Sequence, residues 1–425
     1  MFNSYLSVMK KSTSATNTVQ NLMSKFLTDN PNNSNNRLLK KVLLKNLQQT
    51  PDVFWNEQLS WLFVQQNEFK KAFIQEKAIY KRGEESLQRL FELGVLAQQQ
   101  HKLVDAQYIF EYIKTQPLEI NTRISVISFL LNMKQKTSEK DNYTAIEQDY
   151  KVALDSFGIN NKTINLQLDY VDFLAFKQHH ISKAITFLRA NESQHLSRFN
   201  KAKFQMKMAD VFVADGKFNN ALINYSKIQR QLKNNVLAQE ARFKVAKTSY
   251  YKGDFDWALQ QLKVLKTSTS QLIANDALNL HLLINDHILE DSLHVALKKY
   301  AKADLQAFQN KNTEAIATLT DILNHHPVNK IVDDALFLQG QLYEQQQQYI
   351  KAQKNYERII NTLNESVFVD NALYKLAQLH LNHLNNPKKS LEYLEALLFN
   401  HADSIHFIEA QKLYRSLRSD ISSNS

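Results

Sequence analysis

Apolar and polar positions recur along this chain at helical spacing, and the clearest stretch is Asp334–Asn364, DALFLQGQLYEQQQQYIKAQKNYERIINTLN. Leu336, Gln339, Gly340 and Tyr343 share one face of its first half, and Ala352, Tyr356 and Ile359 share one face of its second. Two amphipathic helices joined by a turn at Gln345–Gln348 follow from that pattern. A lone antiparallel pair leaves apolar surface in water, so the stretch calls for neighbours of its own kind.

Upstream, the same reasoning predicts a helix over Ala15–Leu27, a turn through residues 29–36 and a helix over Arg37–Leu47. Thr50-Pro51 then reads as an N-cap and first-turn proline for a helix containing Trp55, Leu59, Leu62 and Phe63. Its partner runs over Glu68–Tyr80.

From Leu87 onward a repeat is visible. A small residue is followed by another small residue twelve positions later at Gly94/Ala106, Ala209/Ala221, Ala246/Ala258, Ala303/Ala315 and Gly340/Ala352, each flanked by apolar residues. The steps Ala184 to Ala221, Ala221 to Ala258 and Ala315 to Ala352 are each 37 residues, with Ser390 one further on. Gly216 and Gly253 fall at the turns inside units, and Pro117 and Pro327 at unit ends. The unit over Asn121–Phe157 lacks the second small residue. Between Ala258 and Ala315 some twenty extra residues predict one added helix, near Ala274–Ile288. Ile405–Leu417 reads as a closing helix.

This arrangement resembles the tetratricopeptide repeat, whose small residues sit where paired helices approach closely and whose usual period is about 34 residues. The resemblance implies an all-α fold, a right-handed α-α superhelix of antiparallel helix pairs. It divides the chain into an N-terminal helix and polar turn (1–36), a first array (37–265), an inserted helix or bend (266–296), a second array with its cap (297–418) and a disordered tail (419–425). Asp334–Phe337 and Asp370–Ala377 look like repeats of bacterial envelope-assembly proteins, which usually begin with an export signal. The start MFNSYLSVMKKSTSATNT has no apolar core followed by a small-residue cleavage site, so the compartment is left open between periplasm and cytoplasm.

Composition agrees with a helical repeat. Only 6 Gly and 5 Pro occur in 425 residues, too few for the turns of a strand-rich fold. With no cysteine, disulfides and thiol chemistry are excluded. No run of 18 apolar residues suggests a membrane span. Of the formal net charge of +10, residues 1–82 hold 12 Lys and Arg against 5 Asp and Glu. Any electrostatic partner surface is therefore expected near the N-terminus.

Nothing in the sequence announces catalysis: there is no phosphate-binding glycine loop, His-Glu-x-x-His pattern or Gly-x-Ser-x-Gly elbow. The chain is expected to be neither an enzyme nor a cofactor carrier. His380 and His383 lie at i, i+3, with His401 and His406 near in sequence, but no carboxylate joins them at ligand spacing, so no metal site is assigned. More informative are the aromatics three residues before each first small residue, with a polar residue one turn later. They are Phe243 with Lys247, Tyr300 with Asp304, Phe337 with Gln341 and Tyr374 with Gln378. In the tetratricopeptide fold these positions face or border the concave groove, where they would hold an extended or helical peptide. The alternative is that the aromatics pack between helices as core. The Lys/Asn pair that clamps a chaperone tail's carboxylate is missing. The function expected is a non-enzymatic scaffold for a protein or peptide partner, with no small-molecule substrate. The competing reading is a solenoid that binds RNA or an anionic membrane surface through the basic helix carrying Lys40, Lys41 and Lys45.

Overall fold

The structure is a computed structural model that describes residues 2–83, 87–192, 194–233, 235–265, 270–289, 293–326, 330–363 and 365–423. Pro327 and Asn364 lie outside these residues, as do parts of the expected insertion and the end of the expected tail. All regular elements among the described residues are helices, and the chain divides into two compact units, Met1–Phe157 and Gly158–Ser425.

The first unit holds α1 (Phe2–Lys11), α2 (Thr16–Ser24), α3 (Ser34–Gln49), α4 (Val53–Gln65), α5 (Phe69–Lys81), α6 (Gln88–Gln99), α7 (Leu103–Lys114), α8 (Ile120–Thr137) and α9 (Tyr143–Phe157). The sequence reading had no helix at α1, although Phe2, Leu6 and Met9 recur at i, i+4 and i+7 and are buried. The start of α4 also differs from expectation. Asp52, not Thr50, is the N-cap, its carboxylate accepting the Phe54 N–H at 3.0 Å, and Pro51 precedes the helix. The degenerate stretch forms a pair, α8 and α9, with Ile146, Tyr150 and Leu154 inside.

The second unit begins with α10 (Ile164–Asp172), which runs on as a π-helical turn over Phe173–Lys177, and α11 (Ile181–Ala190). Regular pairs follow: α12 (Arg198–Ala214) with α13 (Phe218–Gln231), and α14 (Val236–Lys252) with α15 (Phe255–Leu265). The extra helix α16 (Gln271–His287) packs on α15 and α14, burying Ile273, Ala277, Leu280 and Ile284. Then come α17 (Val295–Phe308) with α18 (Asn312–His325), α19 (Val332–Gln345) with α20 (Tyr349–Thr362), α21 (Val369–Asn382) with α22 (Pro387–Asn400), and α23 (Phe407–Ser423).

Eight helix pairs turn in the same way. One residue in each turn has positive φ: Asn67, His101, His179, Gly216, Gly253, Asn310, Gln347 and Asn385, between +49° and +86°. Each stands five residues before a fully buried small residue: Ala72, Ala106, Ala184, Ala221, Ala258, Ala315, Ala352 and Ser390. In six of the turns the next N–H returns to the carbonyl five residues back, as in Lys217 to Phe212 (2.8 Å), Lys311 to Gln306 (2.8 Å) and Gln348 to Tyr343 (2.8 Å). This left-handed helix stop satisfies the last carbonyls of one helix and aims the chain into the next. Ala72 carries the same register into the pair α4 and α5, within the expected first array.

Candidate interaction face of the second unit

Within the second unit the first helices of successive pairs touch directly: α10 with α12, α12 with α14, and α14 with α17. Ion pairs cross these contacts. Lys207 Nζ reaches Asp172 Oδ1 and Oδ2 at 2.6 and 2.7 Å, and Lys244 Nζ reaches Asp210 Oδ1 and Oδ2 at 2.7 and 2.8 Å. Lys247 Nζ meets Asp304 Oδ2 at 2.5 Å. Farther along, Lys375 of α21 reaches Glu344 of α19 at 3.5 Å. Second helices contribute hydroxyls, Tyr225 donating to Asp210 at 2.6 Å and Tyr356 to Glu344.

Burial opposes the Lys207 charge, but Asp172 and Asp210 outweigh it and hold its pKa above the usual lysine value. Burial, reinforced by nearby aspartates, raises Tyr225, Tyr250, Tyr251 and Tyr300 well above ordinary phenols. At neutral pH these phenols are uncharged, which suits positioning and packing rather than proton transfer.

The residues expected to bind a partner are distributed along this layer. Lys247 and Asp304 come together and neutralise each other, with the Lys247 ammonium also over the Tyr250 and Tyr251 rings at 5.3 and 5.4 Å. Tyr300 is buried, and half-buried Phe243 packs against the same core. Phe337 stacks on Phe368 at 4.8 Å and leans on Tyr356 at 5.7 Å. Tyr374 stacks on His406 at 4.4 Å and donates to Glu409 at 3.0 Å; burial and Glu409 push its pKa up to about 12. Gln341 and Gln378 are half-exposed on α19 and α21.

The histidines go to separate rings. Buried His380 stacks on Tyr393, His383 on Tyr349 at 4.0 Å, and His406 on Tyr374. Among the described residues no three His, Cys, Asp or Glu converge as a metal site.

Sequence reasoning had singled out Lys247 and Asp304 but not Asp172, Lys207, Asp210 or Lys244. The signal was present: Lys207 and Asp210 bracket Ala209, and Lys244 and Lys247 bracket Ala246, at the same two offsets from the small residue. Concave sites among the described residues lie elsewhere. One of about 610 Å³ is lined by Leu398, Phe399, Phe407, Tyr414 and Arg415. Another, of about 320 Å³, lies in the first unit among α7, α8 and α9.

Stacked helix pairs with a shared turn define a helical-repeat protein. The family model described as tetratricopeptide repeat matches residues 334–362, the pair α19 and α20. A search of curated proteins returns no match. Similar solved structures include a Rap protein complexed with competence and sporulation factor, at 12% identity over 78% of this chain and 92% of that one, TM-score 0.39. The TPR domain of P58(IPK) is 14% identical over 87% and 99% of the two chains, TM-score 0.25. A tetratricopeptide repeat protein from Parabacteroides merdae is 14% identical over 69% and 99%, TM-score 0.28. Among the described residues no helix is long and apolar enough to cross a membrane.

Proposed function

We propose that the chain is a non-enzymatic scaffold that holds a protein or peptide partner along the first helices of its second unit. One observation carries this reading: ion pairs from Asp172 to Asp304 tie successive first helices together, so the layer is ordered before any partner arrives. A face already fixed loses less entropy on binding. Phe337, Gln341, Tyr374 and Gln378 lie on later helices of the same kind and are half-exposed. In this reading their rings supply apolar contact and their amides pair with a peptide backbone. The likeness of Asp334–Phe337 and Asp370–Ala377 to envelope-assembly repeats supports a partner in the bacterial cell envelope.

The test is quantitative crosslinking in native cells with wild-type protein, Gln341→Lys/Gln378→Lys and a control changed at exposed Lys354 and Arg358 of α20. A partner depleted by the first variant and retained by the control supports the face. Identical partner profiles for all three remove it.

A further inference from the structure

The solvent face of α3 combines cations and apolar side chains with no carboxylate among them. Leu39 and Leu43 point into the first unit's core and buried Asn36 donates to the Thr28 and Asn30 carbonyls, while Arg37, Leu38, Lys41, Leu44 and Lys45 are exposed. At 100° per residue these five fall within an arc of about 120°. Leu38 is 53% and Leu44 37% exposed. Asn35 Nδ2 donates to the Phe26 carbonyl at 3.1 Å, which brings the end of α2, with exposed Lys25 and Phe26, beside the first turn of α3. Residues 1–51 contain seven Lys and Arg and one acid, Asp29. Among the described residues Lys25, Arg37, Lys41 and Lys45 form no ion pair, whereas Lys10 is bonded to Asp52 at 3.0 Å.

We propose that this face docks on an anionic lipid bilayer, with Arg37, Lys41 and Lys45 at the headgroups and Leu38, Leu44 and Phe26 dipping among the upper acyl segments. Charge complementarity selects the partner. A helix with Lys and Arg interleaved with leucine along one exposed strip is the composition of an interfacial anchor. The leucines decide against RNA, since phosphate contacts need only the cations and single-strand binding uses aromatic stacking, which α3 lacks. The inference uses none of the residues of the scaffold reading and stands or falls separately from it.

The experiment is sedimentation of the full chain with phosphatidylcholine vesicles, with and without about one-third phosphatidylserine. Binding is expected only to the serine-containing vesicles and to weaken as salt shortens the screening length. Lys41→Glu/Lys45→Glu should lower partitioning several hundredfold, at roughly fivefold for each of the two cations removed and each of the two anions added. Leu38→Ser/Leu44→Ser keeps every charge and should lower it about tenfold. All four positions are exposed, so unchanged circular dichroism melts confirm folding. Equal binding to both vesicle types, wild-type binding by the leucine variant, or tighter binding to a mixed-sequence RNA than to the anionic vesicles would each overturn the proposal.

Discussion

Tyr356 lies across Gly340 so closely that a Cβ added at 340 would come within 2.6 Å of the ring's Cε1 and 2.8 Å of Cζ. Phe110 stands over Gly94 in the same way, with Cζ at 2.9 Å. Each aromatic is four residues beyond the buried alanine of its second helix, where α15 and α18 carry Leu262 and Leu319 and the facing first helices carry Ala246 and Ala303. An aromatic is not sufficient to require glycine, because α13 has Tyr225 there and α12 keeps Ala209.

Gly340→Ala should therefore destabilise the protein even though alanine favours helix by about 1 kcal/mol. Overpacking a core position costs about 1–3 kcal/mol, and buried Tyr356 is further held by its bond to Glu344. The expected net loss is about 1 kcal/mol, read from urea midpoints. In a Tyr356→Leu background the same substitution should cost less, and an equal cost in both backgrounds would show that the ring is not responsible.

The turn glycines separate backbone strain from packing. Gly253 has φ of +86° and Gly216 of +72°; a Cβ at 253 would meet only Lys298, at 3.8 Å, and one at 216 nothing within 4 Å. Gly253→Ala and Gly216→Ala should each cost about 1 kcal/mol, the penalty of left-handed backbone for a side chain. Gln347→Gly, at φ +59°, should raise the melting temperature slightly. A fall in that variant's melting temperature would argue that the Gln347 side chain contributes more than its backbone costs.

Asp210 joins three helices, accepting from Lys244 of α14 and Tyr225 of α13 while sitting on α12. Asp210→Ala leaves an ammonium and a buried hydroxyl without their acceptor. Lys244 is 26% exposed and partly solvated, so the loss is expected at about 2 kcal/mol, below that of a fully buried pair. Lys247→Ala, at a similarly exposed pair whose other contacts are with the Tyr250 and Tyr251 rings and not a third hydrogen-bonding group, should cost about 1 kcal/mol. Equal urea midpoints for the two variants would contradict this ranking.

His380 gives the fold a dependence on acid. Burial, and then the nearby Lys389 ammonium, hold its pKa below the usual imidazole value, and among the described residues neither ring nitrogen has a hydrogen-bond partner. A folded pKa below the unfolded one means that the unfolded chain binds the proton more readily. The neutral ring's contribution is complete above about pH 6.5 and is lost progressively as pH falls through that value toward the folded pKa. Melting temperatures of wild type and His380→Leu, measured from pH 8 to 5, should converge or cross as the pH drops. Parallel curves would remove His380 as the source.

Helix pairs were legible because their signal is periodic and summed over many residues. Ala106, Ala221, Ala258, Ala315 and Ala352 each recur with apolar neighbours in register, and the added helix emerged at α16 from spacing alone. The N-terminus was harder. In α1, Phe2, Leu6 and Met9 are only three positions in a ten-residue helix, too few to outweigh the polar residues between them. The turns were half-legible: Gly216 and Gly253 signal positive φ and Asn67 and Asn310 do so more weakly, whereas Gln347 adopts it without any such mark. Pairing along the first helices was hidden for another reason. Lys247 and Asp304 are 57 residues apart across α16, and only the stacking of α17 on α14 brings them together.

The eight shared turns also bear on how such repeats are counted. Their common element is a backbone angle that glycine, asparagine, histidine and glutamine all adopt here, so the side chain there can drift while the geometry persists. The tetratricopeptide model matches residues 334–362, whereas the same bend punctuates pairs from α4 to α22. A count of repeats by sequence therefore falls short of a count by conformation.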